Sequence, residues 1–239
     1  MLKYRISFVL GIILAAFCLV SCAPLARSGP VQTETEEVSL EGAEQVQVQI
    51  RMGAGELVIG GGADQLLEGE FSYSDKDLRP DISYRVLSSG AGSLEIEQGE
   101  NPGNRLYDSY YNRWELDFNS EVPLEIEVAL GAGESTLDLG DLTLRSFSLQ
   151  VGAGQAHLDL GQGPSQDLEL DIEGGVGELT VILPRNVRIE ADVSGGLGEV
   201  NTSGLIRENG RYLSEYDGAG PIIRIFIEAG IGELNLLVQ

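Results

Sequence analysis

Positive charge is scarce in this sequence. Lysine occurs only twice, at Lys3 and Lys76, and 15 basic side chains face 38 acidic ones, for a formal net charge of -23. A nucleic-acid binder needs a basic footprint, and attachment to anionic lipid needs a polybasic segment; neither is present. The single histidine, His157, excludes a His-rich metal site and leaves any catalytic triad only that residue as base. Cysteine occurs only at Cys18 and Cys22, too near the start to staple a fold. Aromatics are 6% of the chain, and no amphipathic pattern of helical period follows the first twenty residues. What the chain does have is glycine, 32 residues of it, and a hydrophobic fraction of 42% that is ordinary for a folded protein. Its 239 residues allow one domain with a proper core or two modest ones.

The start reads as a targeting segment. Met1 to Arg5 is short and basic, and Ile6 to Val20 is an apolar run shorter than a comfortable bilayer span. It ends in Leu19-Val20-Ser21-Cys22. This resembles the bacterial lipoprotein signal, with a small residue before a cysteine that is lipidated and heads the mature chain. The resemblance implies a signal peptide over 1–21, lipidation of Cys22, and an extracytoplasmic protein held to a membrane. An ordinary secretory signal, or an uncleaved anchor whose cysteines are incidental, is the alternative. Residues 22–40, with Pro24, Pro30 and a Thr/Glu-rich end, read as a flexible tether, with a swapped strand as the alternative.

The remainder is built on a repeated phrase. Gly-x-Gly occurs at Gly53, Gly90, Gly131, Gly152, Gly175, Gly196 and Gly230, and the four from Gly131 to Gly196 begin 21 to 23 residues apart. Apolar residues alternate before each element, as in Leu124, Ile126, Val128 and Leu130. They alternate again after it, as in Ala156, Leu158, Leu160 and Leu234, Leu236, Val238. Period two marks a strand with one buried face. Each repeat is then strand, glycine corner, strand, and stacking the repeats gives an all-β, solenoid-like fold of two sheets across a narrow aliphatic core. A conventional sandwich, with Gly-Ala-Gly as a hairpin turn, is the alternative. Residues 99–112 break the pattern as a polar excursion, and Asn209-Gly210 marks a hairpin within a second one. This divides the chain into an N-terminal β domain over 41–118 and a β-repeat domain over 119–239, continuous with it.

Three segments carry a family resemblance: Met52-Gly53-Ala54-Gly55-Glu56-Leu57, Trp114-Glu115-Leu116 leading into Val122-Pro123-Leu124, and Gly131 through Leu139 into Gly152-Ala153-Gly154. The chain resembles the bacterial toast-rack proteins, whose C-terminal part is similar to the extracytoplasmic domain of cell-wall-active antibiotic response proteins. The resemblance spans most of 41–239. It implies a stacked β-fold and a link to envelope stress sensing, with no established enzyme activity and no cofactor. Adhesin-type domains share such glycine-rich β-repeats. Relatives often carry transmembrane helices where this chain has its lipoprotein-like signal.

Three sets of side chains are candidates for function. Glu56, Glu134, Glu178, Glu199 and Glu233 each follow the second glycine of a corner and would form a column of carboxylates. Glu134, Glu178 and Glu199 are weak candidates for a divalent-cation edge, against a solvated acidic edge that keeps the protein soluble. His157, Asp138, Asp159 and Asn201 face outward, and a His157–Asp138 pair is the only hint of acid–base chemistry and hence of a glycan-acting enzyme. Tyr107, Tyr110, Tyr111 and Trp114, flanked by Arg105 and Arg113, are the densest group of interface-type residues, with Trp114 equally able to plug the core. The expectation is a non-enzymatic envelope binding or scaffold domain that meets an envelope protein or a neutral glycan through this group. An adhesin-like or structural surface protein is the alternative.

Overall fold

A computed structural model describes residues 30–99, 110–161, 163–216 and 218–239. The expected signal and the lipidation site Cys22 therefore lie outside the described residues, as do Arg105 and Tyr107. The fold is all-β. It comprises β1 (Gln32–Val38), β2 (Gln45–Gly61), β3 (Leu67–Tyr73), β4 (Pro80–Val86), β5 (Ala91–Gln98), β6 (Asn112–Phe118) and β7 (Leu124–Asp138). Then follow β8 (Leu144–Asp159), β9 (Leu168–Leu183), β10 (Arg188–Ser203), β11 (Leu205–Glu208), β12 (Arg211–Ser214) and β13 (Ile222–Val238). No helix among the described residues is long and apolar enough to cross a membrane.

Six long strands form the stack, in the order β2-β7-β8-β9-β13-β10, every neighbour parallel. Each bends at its Gly-x-Gly, and the buried positions change parity there. In β7 Leu124, Ile126, Val128 and Leu130 are buried before the bend, and Ser135, Leu137 and Leu139 after it. The first arms of all rungs therefore face the second arms across one core, which runs from Ala43 to Leu236 in sequence. Residues 30–239 contain every strand among the described residues and this whole core, so none of the packing described depends on the segment before them. Short turns close each rung: Asp138 Oδ1 accepts from Gly140 N at 3.4 Å and Asp159 Oδ1 from Gly161 N at 2.8 Å.

The corners need glycine because successive bends lie backbone on backbone. A Cβ on Gly154 would sit 1.8 Å from the carbonyl oxygen of Gly133, and one on Gly177 only 1.7 Å from that of Gly154. Both also adopt positive φ, 136° and 146°. The element at Gly90 is different from the others, contrary to the sequence reading. It belongs to the hairpin between β4 and β5, so its glycines shape a turn rather than a stack corner.

The rung order also departs from chain order, since β13 sits between β9 and β10. Burial explains this. After its corner β13 carries Leu234 and Leu236, 3% and 0% exposed, whereas β10 carries Val200 and Thr202 and fits only at an end. The hairpin β11–β12 turns at Asn209 and Gly210, both at positive φ, and β12 pairs with the first arm of β10.

Candidate functional site

The stack has one rung without a glycine corner. β5 pairs in parallel with the first arm of β2, and β6 pairs in parallel with its second arm. Residues 91–98 and 112–118 thus form a rung in which no Gly-x-Gly element joins the two arms. Two side-chain amides stand in for the missing backbone. Gln98 Oε1 accepts from Gly53 N at 2.9 Å and from Ala54 N at 3.3 Å. Asn112 Nδ2 donates to Ala54 O at 2.9 Å and to Gln98 Oε1 at 3.1 Å. Asn112 Oδ1 in turn accepts from Trp114 Nε1 at 3.1 Å, so the clamp is tied to the core. The feet of the excursion are pinned as well. Gly99 N donates to Arg79 O, while Ser74 N donates to Tyr111 O and Tyr111 N donates to Ser74 Oγ.

This geometry sorts the aromatic candidates. Trp114 is 0% exposed and packs edge-on against Phe71, with ring centroids 5.6 Å apart; it is a core residue, and its expected place on a binding surface is corrected. Its alternation with Leu116 and Phe118 was the signal, since all three point inward from β6. Tyr110 is half-buried against the core and its hydroxyl is buried without a partner. Tyr111 is exposed. Arg113 bridges Glu56 and Glu115, and its guanidinium is held above its ordinary pKa by the Glu115 hydrogen bond first and then by Glu56.

Beside Gly99 and Tyr110 runs a groove of about 970 Å³ that sequence reasoning missed. Its floor is the column of corner glycines Gly53, Gly131, Gly152, Gly175 and Gly230. Arg51, Gln150, Glu173 and Glu228 rise along it, and Leu78, Gln98 and Tyr110 stand at its β2 end. Five rungs at about 4.8 Å spacing make it roughly 19 Å long. The residue two before the first glycine of each bend points away from the core, so the pattern Arg51, Ala129, Gln150, Glu173, Glu228 was present in the sequence. Only the rung order brings it into one line.

The carboxylate column forms as the spacing implies, in the order Glu56, Glu134, Gln155, Glu178, Glu233, Glu199. Glu134, Glu178 and Glu199 fall on alternate rungs, and among the described residues no three His, Cys, Asp or Glu side chains are placed to hold a metal. Repulsion is relieved by amides and by Arg113. Asn201 Nδ2 donates to Glu233 Oε1 at 2.9 Å, and Asn235 Nδ2 to Glu178 Oε1 at 3.3 Å. His157 stands opposite Thr136 and Thr180, while Asp138 stands opposite Asp159 and serves a turn. The structure does not bring His157 and Asp138 into a pair.

Comparison with known proteins agrees with the architecture. A candidate cell adhesion protein from Clostridium sporogenes is 33% identical and superposes with a TM-score of 0.83, the match covering 88% of this chain and 100% of that one. Candidate adhesins from Bacteroides fragilis and Parabacteroides distasonis are each 10% identical. The first match covers 86% of this chain and 97% of the other with a TM-score of 0.32. The second covers 87% and 97% with a TM-score of 0.28, and neither carries an argument about this chain. No functionally curated protein matches. The family model described as the N-terminal domain of toast_rack, DUF2154, matches residues 27–182, and the chain belongs to that toast-rack family.

Proposed function

We propose that this is an adhesin-like, non-enzymatic surface protein that binds an extended neutral glycan in the glycine-floored groove. The groove is the observation that carries the reading. A flat backbone floor admits a polymer closely, the carboxylates and amides of Glu173, Glu228 and Gln150 accept and donate to hydroxyls, and the half-buried Tyr110 lines one end. The acidic surface opposes anionic polymers at low salt. The Clostridium relative, whose name speaks of cell adhesion, supports an adhesive role; nothing comparable supports the envelope-stress role implied by the wider resemblance. Lipidation of Cys22 would anchor the protein outside the membrane; the expected tether of residues 22–40 is shortened to the residues before β1, because Gln32–Val38 pairs with β3.

Adhesion of cells to neutral polysaccharide tests the reading. Cells displaying the wild-type chain should adhere, and Glu173→Arg with Glu228→Arg should abolish adhesion at unchanged surface abundance. Equal adhesion by the two would reject the groove. Cys22→Ser should release the protein from the membrane fraction or leave its precursor uncleaved, and unchanged fractionation with normal processing would reject the anchor.

A further inference from the structure

The two ends of the stack are finished differently. At the β2 end both arms are covered, the first by β5 and the second by β6. The outermost strands there carry charges and proline, with Glu34, Glu36 and Glu37 on β1 and Pro80, Asp81 and Arg85 on β4. These are the devices by which edges resist unwanted pairing. At the other end β12 pairs with β10 only through Glu190 and Ala191, on the first arm. Among the described residues no strand pairs with the outer side of its second arm, residues 198–203. Apolar side chains are exposed at this end. Val200, at an inward position, is 39% exposed, and Leu197 at the bend is 76% exposed, in register with Ile231 and Val176 at 55% each. A cavity of about 90 Å³ lies behind Val200, lined by Leu149, Ala156, Ile172, Val193 and Leu234.

The covered end shows what chemistry completes such an edge. There β6 lies parallel to the second arm of β2 and sets Arg113 opposite Glu56, Trp114 opposite Leu57 and Leu116 opposite Ile59. Arg113 and Glu56 form an ion pair, so a basic residue terminates the carboxylate column. At the open end the same column terminates in Glu199, beside Glu233, with no basic residue in the next position.

We propose that residues 198–203 are a docking edge that takes up an extended segment of a partner polypeptide as an added parallel strand, a basic residue opposite Glu199 and an apolar residue opposite Val200. Main-chain hydrogen bonds would supply affinity and the alternate side chains selectivity. The apolar residue covers Val200 and abuts the unfilled space behind it. The basic residue meets the end of a column of like charges, which is where an added positive charge gains most. Residues 198–203 line none of the groove and belong to the end of the stack away from β2, although the space behind Val200 shares Glu173 and Gly175 with the groove.

The test uses residues 30–239 and two labelled peptides, acetyl-Thr-Arg-Val-Thr-Val-Thr-amide and the same peptide with Glu in place of Arg, followed by fluorescence anisotropy. The Arg peptide should bind at least about tenfold more tightly than the Glu peptide, a difference of about 1.4 kcal/mol. Glu199→Lys, an exposed change that leaves folding intact, should invert that preference. Amide exchange should slow at residues 198–203 on binding, and the groove variant Glu228→Arg, at a residue that lines the groove but not the space behind Val200, should bind the peptide as wild type does. Equal affinities, no binding of either peptide at millimolar concentration, or a preference untouched by Glu199→Lys would overturn the proposal. So would a dimer of the fragment, seen by light scattering and dissociated by Glu199→Lys, because a second copy would then occupy the edge.

Discussion

Gly154→Ala tests the stacked corners, because the structure fixes both its cost and its control. The added Cβ would lie 1.8 Å from Gly133 O and 2.8 Å from Gly133 C. Restoring ordinary contact at about 3.3 Å requires the two rungs to part by about 1.5 Å at the bend, which lengthens neighbouring ladder bonds beyond hydrogen-bonding range. Two such bonds at about 0.5–1.5 kcal/mol each, with about 1–2 kcal/mol for Ala at this positive φ, give a destabilisation of about 2–5 kcal/mol. Gly174→Ala is the control. It lies just before the next rung's corner, where a Cβ meets nothing within 4 Å and φ is unremarkable. That substitution should leave stability within about 0.5 kcal/mol, or raise it by up to about 1 kcal/mol through the unfolded state. Urea unfolding read by the fluorescence of the buried Trp114 and by far-UV circular dichroism measures both. If Gly154→Ala cost no more than Gly174→Ala, the backbone-on-backbone corner would be wrong.

Leu158→Ala, at a fully buried site on β8, should destabilise by about 2–4 kcal/mol, and the exposed control Glu199→Gln by less than about 0.5 kcal/mol; denaturant midpoints in the reverse order would mean the strand faces are misassigned. Ser135→Ala should raise stability by about 1 kcal/mol in the same assay. Its buried Oγ has no partner, and the next rung already holds Ala156 in register. The Asp117 side chain is exposed, and its carboxyl is pushed above its ordinary pKa by partial desolvation first and then by Glu115 and Glu68. Its charged form therefore weakens the fold above that raised pKa, and the penalty is gone below the unfolded value near about 3.9. Asp117→Asn should accordingly stabilise at pH 7 and lose its advantage as pH falls toward 4; an advantage independent of pH would refute this.

The strand faces were legible in the sequence because period-two alternation reports which side of a strand is buried. The glycine corners were legible because only a close backbone approach explains the same small residues at one period. Gly90-Ala91-Gly92 misled for the same reason. Three residues cannot distinguish a hairpin turn from a stack corner, and the difference lies in whether the following strand runs on or doubles back. Rung order was not in the local pattern, since all long strands read alike; the poorer inward set of β10, with Thr202 and Gly204 where β13 has Leu236 and Val238, was the clue to its place at an end. Trp114 looked like an interface residue by composition, yet its step with Leu116 and Phe118 tied it to the core. The groove could not be read at all, because it exists only once five distant outward positions are set side by side.

The most direct test of the functional account is titration of the purified fragment, residues 30–239, with soluble neutral oligosaccharides of increasing length, followed by calorimetry. Affinity should rise with length until the chain spans the roughly 19 Å groove, then level off, and Glu173→Arg with Glu228→Arg should abolish it at an unchanged melting temperature. Binding that ignored length and survived those substitutions would contradict the account, as would turnover of the oligosaccharide.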